Sequence, residues 1–300
     1  MNEPTIKLLP LSEAASLIRD GTRIHLGGMA VHNHPMAFVR QLLRQGTKDL
    51  TVVSHVSSGD VDMLIGAGRV KRLEFSYVGL EEFGTAPCFR RAAEAGELEL
   101  SEYSEPVAFE RFACSARGMP FFMTREMVGT DLPRVNPDIK EIVDPFGSGV
   151  YHAVSAAEPD WVIIHAIAGD EYGNVLFHPH RQLPEDLDLT ASRAARNLIV
   201  TVEQVVSHEK VKQLPYLNLI PRFRTTAIVE APYGAHPFSC LHVYDQDRAH
   251  LASYAHAGRE PGEFQRYLSK YVYGVASHDA YLDLIGGAQL AGLRRVGGSL

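Results

Sequence analysis

The chain is poor in the features that would staple it, anchor it or load it with metal. Its three cysteines, Cys88, Cys114 and Cys240, are odd in number, widely spaced and free of any Cys-x-x-Cys pair, so a disulfide framework is not expected. No apolar run approaches the ~20 residues needed to cross a bilayer. The opening MNEPTIKLLPLSEAA lacks the basic and apolar regions of a secretory signal. Basic charge is not in excess: 29 Lys and Arg stand against 36 Asp and Glu, a net charge of −7, with the signs interspersed. That argues against a nucleic-acid groove or a membrane-binding patch, while leaving room for a local basic pocket that holds a small anion. Several sequence signatures are also missing. Without Gly-x-Gly-x-x-Gly, Gly-Lys-Ser/Thr, His-Glu-x-x-His or Gly-x-Ser-x-Gly, the nucleotide-loop, zinc-protease and serine-hydrolase readings are poor. What remains is a 300-residue chain, 45% apolar and 22% charged, long enough for a substantial core and expected to be cytoplasmic.

The first half alternates. TRIHL (Thr22 to Leu26) reads as a strand ending in Gly27-Gly28, and a helix follows Pro35 with Met36, Phe38, Val39, Leu42 and Leu43 on one face before Gly46. LTVVS is a strand, VDMLIGAG a short helix, RLEFSYV a strand, APCFRRAAEAG a helix and LELSEY a strand. PVAFERFACSARG reads as a helix, with Pro106 in its first turn and Gly118 at its end. Strands separated by helices imply an α/β layered fold with an open, mostly parallel sheet. The middle is rich in strands: KEIVDPF, VYHAVSA, WVIIHAI and NVLFH, then a helix near Asp186 to Ala195 and the apolar strand NLIVTVE. With no linker, repeat or low-complexity segment, residues 1–300 are expected to form one unit. Residues 1–214 would be its α/β core; residues 215–300 would add a last strand, a Gly/Pro-rich loop and a helical appendage packed on the sheet or on a partner.

Several groups of residues could carry chemistry. Gly27-Gly28, between a strand and a helix, would let backbone N–H groups approach a ligand oxygen, although a tight turn needs the same residues. The histidine pairs His32/His34 and His178/His180 sit beside Pro35 and Pro179 in loops without metal-ligand spacing, and no metal site is expected. His165, inside WVIIHAI, reads as a hydrogen-bonded core residue. Glu102 and Glu105 lie at the end of LELSEY just before a helix. Ligands gather at such carboxyl ends of strands, but acids also cap helices there. Arg90, Arg91, Arg111 and Arg125 could bind a carboxylate or phosphate, though charged helix faces are commoner. Ser54 and Ser76 end strands and could line a cleft, and Glu203 ends a buried strand where an acid needs a partner.

At these residues the chain resembles the alpha subunit of class I coenzyme A transferases, particularly the glutaconate CoA-transferase branch. The stretches that carry the resemblance are LGGMAVHNHPMAFVRQL, LTVVS, DVDMLIGAGRVKRLEFSYVGLEEFGTAPCFRRAAEAGELELSEYSE, ARGMPFFMTREMVGTD, IIHAIAGDEYGN, LIVTVEQVV and NLIPRFRTTAIVEAPYGAHP. The resemblance implies a NagB/RpiA/CoA-transferase-like sheet. It also implies a homologous beta subunit and an A2B2 heterotetramer of two alpha and two beta subunits, with the active site between them. The substrate it implies is a coenzyme A thioester, with no permanently bound cofactor. In that family a glutamate attacks the thioester, giving an acyl-glutamyl anhydride and then an enzyme-bound CoA thioester, which is nucleophilic catalysis with ping-pong kinetics.

The Gly27-Gly28 loop resembles the family's glycine pair at this end of the sheet, and Gly27, Gly28 and Met29, with the strand-end Ser54 and Ser76, are the candidates for substrate or CoA binding or an oxyanion site. The family's nucleophile belongs to the beta subunit, in a Ser-Glu-Asn-Gly context. This chain has Ser-Glu at 12–13, 101–102 and 104–105, never followed by Asn-Gly, so it is expected to be inactive alone. Where oxoacid CoA transferases commonly have Pro-Gln-Gly, it has Ser104-Glu105-Pro106. An acid here also resembles a branch of CoA-dependent hydrolases that open steroid rings, in which the alpha-subunit glutamate is a base, and another relative decarboxylates glutaconyl-CoA. Transfer is the favoured expectation; hydrolysis with Glu105 as base, or decarboxylation, is the alternative.

Overall fold

The computed structural model describes residues 5–295 apart from Pro145 and Ser148. The extreme N-terminal residues, the end of the helical region and the proline of KEIVDPF therefore lie outside the described residues. The strands in chain order are β1 (Arg23–Leu26), β2 (Leu50–Val53), β3 (Val56–Ser57), β4 (Val70–Phe75), β5 (Tyr77–Val78), β6 (Glu99–Glu102) and β7 (Phe121–Thr124). They continue with β8 (Ile139–Val143), β9 (Val150–Ser155), β10 (Trp161–Gly169), β11 (Val175–Leu176), β12 (Asn197–Val205), β13 (Asn218–Ile220) and β14 (Ala227–Glu230).

Seven of them form a parallel sheet in the order β14-β12-β10-β1-β2-β4-β6. The short β11 and β13 extend it antiparallel from the far end of β10. The chain winds outward from β1 through β2, β4 and β6, then returns to lay β10, β12 and β14 on the other side. β1 and β10 are thus neighbours at the point where the winding reverses, with Leu26 opposite Ile163. Crevices beyond the carboxyl ends of strands open at such a switch point, and Gly27-Gly28 lies directly beyond Leu26.

The helices follow from the sequence pattern. Met36–Gln45 buries Met36, Phe38, Val39, Leu42 and Leu43, and Gly46 closes it in the left-handed conformation with φ 82°, donating to the Leu42 and Leu43 carbonyls. Glu105–Ala116 has Pro106 in its first turn. The helix expected from Asp186 starts earlier, at Leu183, where Pro184 suits a first turn and the Glu185 carboxylate accepts from the Gln182 N–H at 2.9 Å. On one side of the sheet, Phe38, Leu43, Leu64 and Leu73 form a core that also holds Leu251, Tyr254, Phe264 and Tyr267. The C-terminal helices are therefore one of the layers that cover the sheet. Val162, Ile164, Val200 and Val202 face the helix Leu183–Ala194 on the other side.

Two features depart from the expectation. RLEFSYV breaks at Ser76, because the Ser76 and Tyr77 N–H groups both turn to the His55 carbonyl, and β5 pairs instead with β3. Second, β7, β9 and β8 form a separate antiparallel sheet. Its β7 strand, Phe121–Thr124, is not evident from sequence because four residues show too little alternation to declare themselves. Among the described residues no helix is long and apolar enough to cross a membrane.

Candidate active site

The carboxyl ends of β1, β2, β4 and β6 line up along one edge of the sheet, and they place Gly27, Ser54, Ser76 and Glu105 there in that order. At the switch point the glycine pair is buried and tightly held. The Gly27 N–H donates to the Ile163 carbonyl at 2.7 Å, and the Met29 N–H donates to the His32 carbonyl at 3.1 Å. The Gly28 N–H donates to Asp188 Oδ1 at 2.8 Å. All three donors are thus engaged within the chain, a correction to the expectation that the pair presents free N–H groups. The N–H groups of Ala30 and Val31, at the tip of the turn that His32 closes, make no hydrogen bond among the described residues.

Glycine is required at both positions for close approach. A Cβ on Gly27 would lie 2.5 Å from Asp188 Oδ1, and one on Gly28, where φ is +88°, would lie 2.5 Å from the His32 carbonyl oxygen.

Beneath the loop lies a buried group of charged and titratable side chains. Asp188 comes from the helix Leu183–Ala194, and burial pushes its carboxyl up to about 8, against the opposing pull of the Gly28 N–H. His34 Nδ1 sits 3.0 Å from Asp60 Oδ2, both fully buried. Burial opposes both charges, but their mutual attraction and hydrogen bonding hold His34 above and Asp60 below their ordinary values. Neither Asp188 nor Asp60 stands out in the sequence. The available signal for Asp188 is an acid spaced with Leu189, Ala191 and Ser192 on the buried side of a helix.

The second part of the edge centres on His55. Ser76 Oγ donates to the His55 carbonyl at 2.8 Å, and the hydroxyls of the buried Ser54 and Ser57 bond to one another. Both serine hydroxyls named from the sequence are thus partnered within the chain. The His55 and His25 rings lie 5.0 Å apart beneath Phe112, and burial drives His55 well below its usual range and His25 down to about 4. Glu105 is exposed in the first helical turn. Phe109, one turn further on, contacts the His55 ring, so Glu105 shares the helix face that meets this edge. Glu102 is exposed at the end of β6, its carbonyl accepting from Asn136.

Other candidates prove to be structural. Arg111 is buried, donates to Glu74 Oε2 at 2.7 Å and lies over the Tyr103 ring. Arg125 lies over Tyr151. His165 binds Thr201 and Glu203 Oε1, and the Glu203 carboxylate also accepts from Tyr244, Tyr233 and Gly234. Two clusters have metal-like proximity, His165/Glu203/Cys240 and His236/Asp247/His250. Hydrogen bonds to Thr201, Tyr244, Tyr281, Gln289 and Tyr267 already engage their histidine nitrogens and carboxylates. Of the paired histidines of the sequence, His32 and His34 diverge, to Ser239 and Asp60, whereas the His178 and His180 rings lie 5.6 Å apart and His178 also stacks on His242.

The family model for coenzyme A transferases matches residues 9–231, which include the whole of this edge. The chain belongs to the coenzyme A transferase family. It is 36% identical to an uncharacterized protein of Archaeoglobus fulgidus over 97% of its own length, and spans 65% of that relative. It is 33% identical to the alpha subunit of glutaconate CoA-transferase from Acidaminococcus fermentans, over 97% of this chain and 96% of that one. The solved structure of that glutaconate CoA-transferase superposes with a TM-score of 0.93, covering 97% of this chain and 96% of that chain at 32% identity. A cholesterol ring-cleaving hydrolase IpdA subunit from Rhodococcus jostii is 31% identical over 92% of this chain and 94% of its own. As a coenzyme A transferase family member of the alpha-subunit type, the chain has the family's α/β sheet. The helices after residue 231 lie beyond the part the family model matches.

Proposed function

We propose that this chain is the alpha subunit of a heteromeric, cytoplasmic coenzyme A transferase that moves CoA from an acyl-CoA to a carboxylic acid, assembled with a homologous beta subunit as A2B2. The observation that carries this reading is the end-to-end correspondence with a glutaconate CoA-transferase alpha subunit in sequence and fold together.

The residues present support a division of labour. The three Ser-Glu pairs lie in the helix Leu11–Ser16, at the end of β6 and at the start of the helix Glu105–Ala116; none precedes Asn-Gly. Asp188 and Asp60 are buried beneath the glycine loop. The attacking carboxylate would therefore come from the beta subunit, and this chain would supply the floor of the shared cleft. Since Gly27, Gly28 and Met29 have spent their N–H groups, the loop's contribution is a close-packed backbone surface. Donors to a thioester oxyanion, each typically worth ~3 to 4 kcal/mol, would come from the tip at Ala30 and Val31 or from the partner. No resident cofactor or metal enters this scheme; the CoA thioester is substrate.

The test is to reduce the enzyme-bound CoA thioester of the assembled complex with tritiated borohydride. The label should fall on a glutamate of the beta subunit; label on this chain alone contradicts the assignment.

A second reading rests on Glu105, which is exposed, lies on the sheet edge and makes no ion pair among the described residues. A free carboxylate there could serve as a base for water or substrate in a ring-opening CoA-thioester hydrolase, a reading prompted by the ring-cleaving Rhodococcus relative. A beta subunit lacking a nucleophilic glutamate would favour it.

A further inference from the structure

The helix Met36–Gln45, which leads away from the glycine loop, carries Arg40 and Arg44 one turn apart, so the two share a helix face. Arg40 is 2% exposed. Its Nη1 donates to the His236 carbonyl at 2.9 Å, while Nε and Nη2 have no partner among the described residues. The guanidinium carbon lies 3.6 Å over the centre of the Tyr281 ring, an attraction that offsets only part of the cost of burying a charge. Burial pushes the pKa of Arg40 down, and the groups that oppose this are tyrosines, first Tyr281. Burial in turn pushes the Tyr281 hydroxyl up to about 12, so at neutral pH it carries no charge. Asp247, in the same layer, is spent on the His236 ring, the His250 N–H and Gln289.

The neighbouring groups are basic too. Arg44 gives Nε and Nη2 to Gln41 Oε1, and its Nη1 is buried without a partner. Burial, then the Arg40 charge, push Arg44 down to about 10. Opposite stands the helix His278–Ile285, where His278 and Tyr281 lie one turn apart, their rings nearly parallel with centres separated by 6.3 Å. His278 Nε2 donates to the Pro232 carbonyl at 2.7 Å and its Nδ1 is unpartnered. Burial, then Arg40 and more weakly Arg44, push this histidine down to about 3. Two guanidinium groups and an imidazole thus meet between two helices, in a chain of net charge −7, and no carboxylate among the described residues bonds to any of them.

We propose that Arg40 and Arg44 hold a small monovalent anion, chloride or a short carboxylate, between the helix Met36–Gln45 and the C-terminal helix His278–Ile285. Nε and Nη2 form the side-on fork of a guanidinium, which suits such an ion. Arg44 shows on Gln41 how that edge takes a single acceptor atom. A water could serve the His278 Nδ1 and one arginine N–H, but it would leave the buried charge uncompensated. The ion pins the C-terminal layer to the helix that starts at the glycine loop, and the inference stands apart from the CoA-transferase reading.

The test follows thermal unfolding of the full chain at fixed ionic strength while potassium chloride or potassium acetate replaces potassium gluconate, whose six-carbon anion is too bulky for an enclosed space. The melting temperature should climb with chloride or acetate, by equal steps for each tenfold rise beyond the dissociation constant. Whichever acts at the lower concentration is the occupant. Arg40→Met, an apolar side chain of similar length that needs no counter-ion, should abolish the dependence. Arg44→Gln, on the half-buried side, should move it to at least tenfold higher concentration. Equal melting temperatures in all three salts overturn the proposal, as does a dependence that persists in Arg40→Met. Should that variant fail to fold, an unchanged dependence in Arg44→Gln overturns it.

Discussion

The Gly28 N–H donates to Asp188 Oδ1 across 2.8 Å, tying the loop that follows β1 to a helix 160 residues further along the chain. Asp188 is fully buried and its other oxygen has no partner among the described residues. Burial holds the proton on it up to about pH 8, against 3.8 when unfolded. The folded chain therefore binds this proton more tightly than the unfolded one, so stability is greatest below pH 4 on this account and is lost as pH rises towards 8. Asp188→Asn keeps an acceptor for Gly28 and removes the titration. Urea unfolding at pH 5 and pH 8 should show a smaller difference in the variant than in the parent. Asp62 and Glu185, each raised to about 6 by burial, act in the same direction and preserve part of the effect. An identical difference in both proteins would argue against a protonated Asp188.

Gly28 and Gly118 both adopt positive φ, +88° and +72°, but only Gly28 has neighbours within 4 Å of a Cβ. Gly118→Ala should cost about 1–2 kcal/mol, the left-handed conformation alone. Gly28→Ala adds a collision with the His32 carbonyl and should cost more, while also displacing the turn at Ala30 and Val31. Denaturant midpoints of the two variants decide this; equal losses would mean that the turn gives way freely.

Glu74 is buried between Arg23 and Arg111, with Arg72 3.3 Å away. Burial alone would raise its pKa, yet the Arg23 hydrogen bonds and the Arg111 charge pull it down to about 2. Glu74→Gln strands the buried Arg111 and should destabilise by about 3–5 kcal/mol. Because the folded pKa is depressed, the parent keeps this contribution above pH 4.5 and loses it as pH falls towards 2. Acid unfolding curves of parent and variant should therefore converge at the low end.

Glu105→Gln separates the two functional readings. The residue is exposed, so stability should change by less than about 0.5 kcal/mol. With the beta subunit, transfer of CoA should persist; complete loss of turnover would assign Glu105 the role of base and favour hydrolysis.

Much of the fold is legible in the chain itself, for identifiable reasons. The helix after Pro35 shows its apolar face and its Gly46 stop within a single short stretch, and NLIVTVE announces a strand covered on both sides. The glycine pair and the strand-end serines share one edge, because parallel strands joined by helices leave little freedom about where their carboxyl ends emerge. What those residues do there is not legible. Whether the Gly28 N–H is free depends on Asp188, and whether Arg111 is a ligand-binding group depends on Glu74. Both partners arrive through tertiary packing from elements distant in sequence. The last helices are legible as an appendage on the sheet or on a partner, but which of the two they meet is not, because it is decided by tertiary contacts such as Tyr254 donating to Asp62 at 2.7 Å in the core.

The most direct test of the shared-cleft account is a CoA-exchange assay on this chain purified alone and then mixed with its beta subunit. Exchange between an acyl-CoA and a labelled acid should be undetectable with the single chain and should appear with ping-pong kinetics on mixing. Full-speed exchange by the single chain would contradict it.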